Sequence, residues 1–281
     1  MYCPYINVVF YNNQKIYNEP KSMAGKKMVS RKTQVALFFI FGLVIIIAVS
    51  FLNYIASESA KSGIKASREI VNVAEMPASL LPVKLNIDLC MEEIAEQAVT
   101  YTGLYGGYYK VPEPKLAYFF DDVPYYVYYS ENTMPSTEEI QSQISQYVKE
   151  QLPECINGLE FEDAELEGEI NFVDASIGDG KVVVNADYPI TISRLNSKTK
   201  VEDLRAEVPV RLDTIYKIAS SITEGKISDG ALCIDCLIDL ASENNVFIDI
   251  VSHEDSLIFT IFDNVTKVND DDYIFSFAME K

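Results

Sequence analysis

The chain contains no tryptophan and only one histidine, His253, among its 281 residues. A Ser-His-Asp triad would have to use this histidine, and most catalytic zinc sites need more than one. His253 lies in a predicted hairpin turn beside Ser252, Glu254 and Asp255, and adjacent residues of a turn do not generally converge on one substrate. We therefore interpret it as ordinary turn polarity. The sequence predicts no catalytic residue, no cofactor and no enzyme.

Basic residues are also scarce, since 23 Lys and Arg stand against 42 Asp and Glu. The first 32 residues hold six of the bases and one of the acids, so the rest of the chain has 17 bases and 41 acids, a net charge of −24. Nucleic-acid binding requires a basic patch that releases counterions, and none is apparent. The composition therefore excludes a nucleic-acid partner, whereas a cation-rich wall, salt or a basic partner is compatible with it.

Charge is absent from Thr33 to Ser57, and the centre of this stretch is apolar on every face. At about 1.5 Å rise per residue, such a helix spans the ~30 Å hydrocarbon core of a bilayer. The pattern predicts a transmembrane helix over residues 33–56, with the lipid bilayer as a partner. One alternative is a cleaved secretory signal, whose apolar region would be about 7 to 15 residues long. The other is a helix buried in a soluble core.

The charges that flank this helix predict its orientation. Five bases crowd the amino-terminal side, while the bases beyond the helix lie further away and are mixed with acids; the five are Lys21, Lys26, Lys27, Arg31 and Lys32. Because positive charge stays in the cytosol, we expect a single-pass protein of the cell membrane with a cytosolic N-terminus and its C-terminal domain outside. The predicted parts are a cytosolic tail (1–32), the transmembrane helix (33–56), a stalk or linker (57–82) and an extracytoplasmic domain (83–281), with an alternative subdivision near residue 157 or 211. Met23 or Met28 would be a more natural start than Met1.

The junction Arg31-Lys32-Thr33-Gln34-Val35, followed by an apolar helix, resembles the class III signal of archaeal type IV pilin-like proteins. That resemblance implies cleavage before Gln34 and assembly into a filament. Thr33 stands where this family has Gly or Ala, and Phe38 stands where many pilins have Glu, which disfavours both steps. The wider pattern is similar to uncharacterised single-pass membrane-anchored proteins of archaea, through a Cys-containing helix, a Gly-Gly-Tyr turn and a closing Tyr-x-Phe strand. This second resemblance implies no function.

Four cysteines remain outside the predicted tail, which contains Cys3: they are Cys90, Cys155, Cys233 and Cys236. Four cysteines on the oxidising side of a membrane allow three pairings. The simplest pairs Cys90 with Cys155 and, locally, Cys233 with Cys236. The Cys233-Ile-Asp-Cys236 motif near a helix start is interpreted as a structural disulfide, with redox activity and metal binding as alternatives, because no strand directly precedes it.

Periodicity predicts an α+β fold of antiparallel sheets with segregated helices. We expect short edge strands over Tyr108 to Tyr129, and a hairpin that turns at Gly178-Asp179-Gly180 and is joined by a third strand. Helices are expected over Asp88–Tyr101, Thr137–Gln151 (ended by Pro153), Leu212 to about Gly225, and from Ser228 or Asp229 to Leu240. Three closing strands are expected over Val246–Val251, Ser256–Phe262 and Tyr273–Ala278.

Carboxylates cluster at Asp121-Asp122, at Glu160 to Glu169 and at Asp270-Asp271-Asp272, and oxygen-rich clusters suit calcium. None has EF-hand spacing. Alternation over the second cluster instead predicts a solvated strand face, and paired carboxylates for glycoside hydrolysis are weaker still. The sequence therefore predicts no metal site.

Nine tyrosines lie between Tyr101 and Tyr129, together with Phe119 and Phe120. They could form a flat aromatic platform for a sugar or a partner protein, or they could simply pack within a sheet. The predicted contact surface comprises Tyr108, Tyr109, Tyr125, Tyr126, Tyr128 and Tyr129. The sequon Asn264-Val265-Thr266 predicts surface placement and glycosylation of Asn264.

Taken together, these patterns favour a non-enzymatic, membrane-anchored surface protein that makes structural contacts or binds a protein or envelope partner. A pilin-like filament subunit and an extracytoplasmic thiol-disulfide oxidoreductase are the two alternatives.

Overall fold

The computed structural model describes residues 77–161, 163–194 and 197–281. The predicted transmembrane helix, the tail and most of the stalk therefore lie outside the described residues. Among those described, no helix combines the length and the apolar character needed to cross a membrane.

Four α-helices occur in the described part of the chain: α1 (Leu81–Leu104), α2 (Thr137–Asn157), α3 (Leu212–Asp229) and α4 (Ile234–Asn244). A short 3-10 turn, Ala78–Leu80, leads into α1. Helix α2 is capped by Ser136, whose side chain accepts a hydrogen bond from the Glu139 amide. Each of the first three helices buries one face, as the helical spacing of its apolar residues requires.

Two prolines lie inside helices. Pro82 lies in the first turn of α1, where the amide that proline lacks would have no helical partner in any case. The expectation that Pro153 ends a helix is wrong, because this residue lies inside α2, which continues to Asn157. Burial of Leu152 and Ile156 on either side of Pro153 holds the last turn in place despite the missing hydrogen bond.

The helix expected from Ser228 or Asp229 also begins elsewhere. Asp229 is the last residue of α3, and Gly230 follows it with a left-handed backbone that closes the helix. Helix α4 begins at Ile234, and the cap is Cys233.

The larger sheet has six strands: β1 (Lys115–Tyr118), β2 (Asp121–Tyr128), β3 (Glu131–Asn132), β8 (Val246–His253), β9 (Ser256–Val268) and β10 (Asp271–Glu280). Their order is β1-β2-β10-β9-β8, and β3 pairs with β2. The sheet is mixed, because β10 runs parallel to β2 and antiparallel to β9. The three closing strands are thus confirmed, whereas the parallel pair was not foreseen.

The smaller sheet has four strands: β4 (Ala164–Gly168), β5 (Phe172–Gly178), β6 (Lys181–Arg194) and β7 (Ser197–Val208). Strand β6 is central. On one side of β6, strand β7 pairs with nearly the whole length of β6. On the other side, β5 pairs with residues 181–187 of β6 and β4 pairs with residues 190–194. The first arm of the predicted hairpin is therefore two strands instead of one. The α+β class is confirmed.

One large cluster of buried apolar side chains joins α1, α2, α3 and both sheets. It includes residues as far apart in the chain as Leu80 and Met279, so the packed core already begins at Leu80. A disulfide between Cys90 and Cys155, with Cα atoms 5.9 Å apart, ties α1 to α2. This is the long-range pairing predicted from the sequence.

A second, smaller cluster covers the other face of the larger sheet. Leu116 and Val123 of the β1–β2 hairpin pack there with Tyr125, Ile258 and Ala278. These residues come from strands β1, β2, β9 and β10, so the smaller cluster is a row of neighbouring side chains on the outer face of the sheet, and the hairpin shares in it. The turn of the hairpin, residues 119–120, is therefore carried by a packed base.

Candidate functional site

The turn of the β1–β2 hairpin presents two adjacent phenylalanines to solvent. Phe119 is 85% exposed and Phe120 is 102% exposed. Phe119 also has a positive φ of 57°, an uncommon conformation for a bulky residue. Exposed apolar side chains are ordinary when scattered singly, but two large ones side by side at a turn indicate a contact site.

Further rings extend from this turn along the outer face. The ring of Tyr118 lies 4.6 Å from that of Phe119 and 5.1 Å from that of His253, both edge-on. The histidine thus contributes an aromatic face, while Ser252, Glu254 and Asp255 remain turn or strand-end residues. Nothing in this arrangement supplies a nucleophile beside a base.

Four tyrosines pack together where α1 meets α2. The ring centroids of Tyr101 lie 4.6 Å from Tyr105, 5.8 Å from Tyr109 and 5.5 Å from Tyr147. All four side chains are half-buried. Their planes are inclined to one another by 36° to 71°, so they pack edge to face and at a tilt instead of forming a flat platform.

One hydrogen bond joins this cluster to the hairpin. The Tyr105 hydroxyl donates to Asp121 Oδ1 at 2.8 Å, directly after the exposed phenylalanines in the chain. This bond, helped by burial, raises the pKa of Tyr105 to about 12. We call the two groups of rings, which Asp121 joins, the aromatic band; it consists of Phe119, Phe120, Tyr101, Tyr105, Tyr109 and Tyr147.

A glycine pair places the tyrosines that follow α1. Gly107 has a φ of +88°, and a Cβ at this position would lie 2.6 Å from Ile140 Cγ1. Only glycine therefore allows the chain to reverse this close to α2. The reversal buries Tyr108 and leaves Tyr109 at the surface, where the Tyr109 amide donates to Gln143 Oε1 at 2.9 Å.

Charged groups fix the outer end of the band. Glu150 accepts hydrogen bonds from Lys110, Gln146 and Tyr109, which lower the pKa of its carboxyl to about 2. Burial and the hydrogen bond to Glu150 raise the pKa of Tyr109. Lys110 Nζ also lies 4.9 Å from the centre of the Tyr109 ring. At neutral pH Tyr109 is therefore a neutral hydroxyl beside the ionised carboxylate of Glu150.

The predicted contact surface needs correction. Tyr108, Tyr125 and Tyr126 are in the interior, at 5%, 9% and 0% exposure. Alternation along a strand would leave one of Tyr125 and Tyr126 at the surface, but β2 is buried on both faces, because Tyr126 packs in the large cluster and Tyr125 in the smaller one. Tyr109, Tyr128 and Tyr129 reach the surface, and Tyr129 is 74% exposed.

Several residues of the band were not in the predicted contact surface. Tyr147 lies on α2, far along the chain, so no local pattern connects it with Tyr101 and Tyr109. The spacing of Tyr101 and Tyr105 was a usable signal, because residues four apart share one face of a helix.

The predicted carboxylate clusters hold local partners. Asp121 accepts from Tyr105, and Asp122 forms an ion pair with Lys115 at 2.9 Å. Within the residues that the structure describes, no group of three or more His, Cys, Asp or Glu side chains is placed to hold a metal ion.

The remaining two predicted sites lie away from the aromatic band. Cys233 and Cys236 form the predicted local disulfide and are both exposed. Asn264 is exposed as well, in three residues of β9 that have no partner in β10, because Tyr273 pairs with Asp263 and Asp272 with Lys267. A shallow depression beside it is lined by Ala241, Ser242, Asn245, Val246, Asn264 and Val265.

Comparison of the chain with family models, with curated proteins and with solved structures finds no match.

Proposed function

We propose that this protein is a membrane-anchored binding protein whose outer domain holds a protein or envelope partner through the aromatic band, a contact that involves no catalysis. The single observation that carries the proposal is the exposure of Phe119 and Phe120 at the turn of a packed hairpin. The membrane anchor and the outward orientation rest on the apolar helix predicted at residues 33–56 and on the bases before it.

Energetic reasoning supports a contact role for the turn. Burying one phenylalanine side chain stabilises a complex by about 1.5 to 3 kcal/mol, so the adjacent pair offers roughly 3 to 6 kcal/mol to a partner. The hairpin presents this surface with little ordering cost, because Leu116 and Val123 already anchor its base in the second cluster.

The charges near the band favour a particular kind of partner. Asp121 and Glu150 are hydrogen-bonded within it, and Asp122 and Glu113 lie beside its hairpin. These four carboxylates outnumber the two lysines paired with them, Lys110 and Lys115, so the rim is acidic on balance; it repels polyanions and attracts a neutral or basic surface. We therefore expect a partner that offers an apolar pocket bordered by bases or by neutral hydroxyls.

The test is co-sedimentation of the purified full-length protein, in detergent, with envelopes prepared from the cells that produce it. Phe119→Ser/Phe120→Ser should lower the bound fraction at least tenfold. Phe172→Ser is the matched control, because Phe172 is 57% exposed on β5 of the other sheet. Equal binding by all three proteins would refute the proposal.

Two further probes separate the classes of partner. Vesicles of a zwitterionic phospholipid that bind the wild type but not the double variant would reassign the band to lipid. Binding to envelopes that is lost after protease treatment of the envelopes identifies the partner as protein, whereas binding that survives this treatment identifies it as a wall polymer.

A further inference from the structure

The Cys233–Cys236 disulfide differs in its surroundings from the Cys90–Cys155 disulfide. Cys90 is 4% exposed and joins two helices of the core. Cys233 and Cys236 are both exposed, and they lie at the start of α4, which buries only Leu237. The second disulfide therefore contributes little to holding the core together and is open to attack by thiols.

Cys233 occupies the N-cap of α4. Its Sγ accepts a hydrogen bond from the Cys236 amide at 3.2 Å. After reduction, the same amide and the positive end of the helix would stabilise a thiolate on Cys233. Because this stabilisation favours the reduced form of the cysteine pair, it makes the disulfide a stronger oxidant than it would be without the helix. Asp235 in the first turn opposes the effect.

Two large apolar side chains lie beside the disulfide at the surface. Ile234, which lies between the two cysteines, is 57% exposed, and Ile238 is 61% exposed one turn later. An unfolded polypeptide exposes apolar side chains that could pack here, whereas a small thiol needs no such surface.

From the accessible disulfide, its capping position and this apolar rim, we infer that Cys233–Cys236 is a thiol-disulfide exchange site that oxidises pairs of cysteines in unfolded polypeptides. The inference is independent of the aromatic band. It adds an activity to the domain.

The exchange takes two steps. A substrate thiolate attacks Cys233 Sγ, the bond between Cys233 and Cys236 breaks, and Cys236 leaves as a thiolate that takes up a proton. The second substrate thiolate then attacks the substrate sulfur of the mixed disulfide, which releases Cys233 as a thiolate. The substrate has lost two electrons and gained a disulfide, and the protein holds a dithiol. Oxidised glutathione, or another small disulfide, restores the bond and is itself reduced to two thiols.

The experiment measures disulfide formation in reduced, denatured ribonuclease A in a glutathione redox buffer, with the full-length protein present in equal amount. The wild type should increase the rate at least tenfold over Cys233→Ser/Cys236→Ser. An unchanged Cys90–Cys155 disulfide and an unchanged far-ultraviolet circular dichroism spectrum show that the double variant is folded. Equal rates for the two proteins would overturn the inference.

Two more variants locate the activity. Cys236→Ser should trap glutathione on Cys233 as a mixed disulfide seen by mass spectrometry, and failure to trap it also overturns the inference. Ile234→Ser/Ile238→Ser should exchange with glutathione at the wild-type rate but lose most of the acceleration with ribonuclease A. Full acceleration by this variant would refute the recognition of unfolded polypeptide.

Discussion

At the scale of single residues, the most consequential polar group is Asp263, whose side chain is fully buried. Arg211 forms an ion pair with it and also donates to the Asn244 carbonyl at 3.1 Å. Thr266 and the Val265 amide donate to the same carboxylate. Burial raises the pKa of Asp263, but these hydrogen bonds outweigh burial and hold the pKa below its ordinary value. The carboxylate thus pins α3 to the irregular part of β9.

Arg211→Ala should lower the free energy of unfolding by about 3 kcal/mol at pH 7, because it leaves a buried charge without its partner. In the wild type the lowered pKa contributes stability that is present above about pH 4 and is lost as the pH falls below it. In the Arg211→Ala variant, the hydrogen bonds from Arg211 that lower the pKa of Asp263 are gone, so burial raises this pKa. The difference between the two proteins should therefore shrink at pH 4. Urea unfolding at the two pH values measures it.

Arg205→Ala is the control for this prediction. Arg205 pairs with Glu207 on β7, where both side chains are about half exposed, and exposed pairs contribute less than about 1 kcal/mol. Equal losses of stability from Arg211→Ala and Arg205→Ala would show that Asp263 does not depend on Arg211.

At the scale of elements, the two disulfides should contribute unequally to stability. The chain-entropy estimate gives about 4 kcal/mol for the bridge with a sequence separation of 65 and about 2 kcal/mol for the one with a separation of 3. Cys90→Ser/Cys155→Ser should thus lower the urea midpoint clearly more than Cys233→Ser/Cys236→Ser. The reverse order would mean that α4 supports the core more than its exposure suggests.

Elements with a clear period could be predicted from the sequence. The helical face of α2, the alternation in β6 and the apolar closing strands each follow from which side chains must be buried. Pro153 misled the prediction, because the effect of proline in a helix also depends on tertiary packing, which a local pattern does not give. The residues around Asn264 that have no partner in β10 could not be predicted either, because the shift in the pairing of β9 with β10 is set by both strands together.

The candidate site was less predictable than the fold. The tyrosine-rich segment was recognised, but its exposed and buried members could not be separated without knowing that both faces of β2 are covered by clusters of apolar side chains. Counting cysteines left three pairings, of which the simplest is the one observed, whereas the exposure of Cys233 and Cys236 depends on how little of α4 is packed.

At the scale of the whole molecule, the sequence predicts that the acidic domain lies outside the cell. An impermeant protease added to intact cells should therefore remove a C-terminal epitope tag and leave an N-terminal tag intact. The measurement is an immunoblot for each tag, with lysed cells as the control. Loss of the C-terminal tag only after lysis would place the domain in the cytosol and would contradict the predicted orientation.

The same preparation tests the pilin-like alternative. Mass spectrometry that finds an N-terminus at Gln34 would favour processing and filament assembly, and an intact basic flank before Thr33 would count against both.

The position of β10 has a consequence for how the domain is made. Strand β10 lies inside the larger sheet, between β9, which immediately precedes it, and β2, which comes from near the start of the described chain. Residues Phe275 and Phe277 of this strand are fully buried in the shared core. During synthesis, the edge of β2 that pairs with β10 has no partner strand until almost the whole domain has been translated. Folding is therefore completed after translation of β10, and a product that stops short of this strand would expose the core to proteolysis.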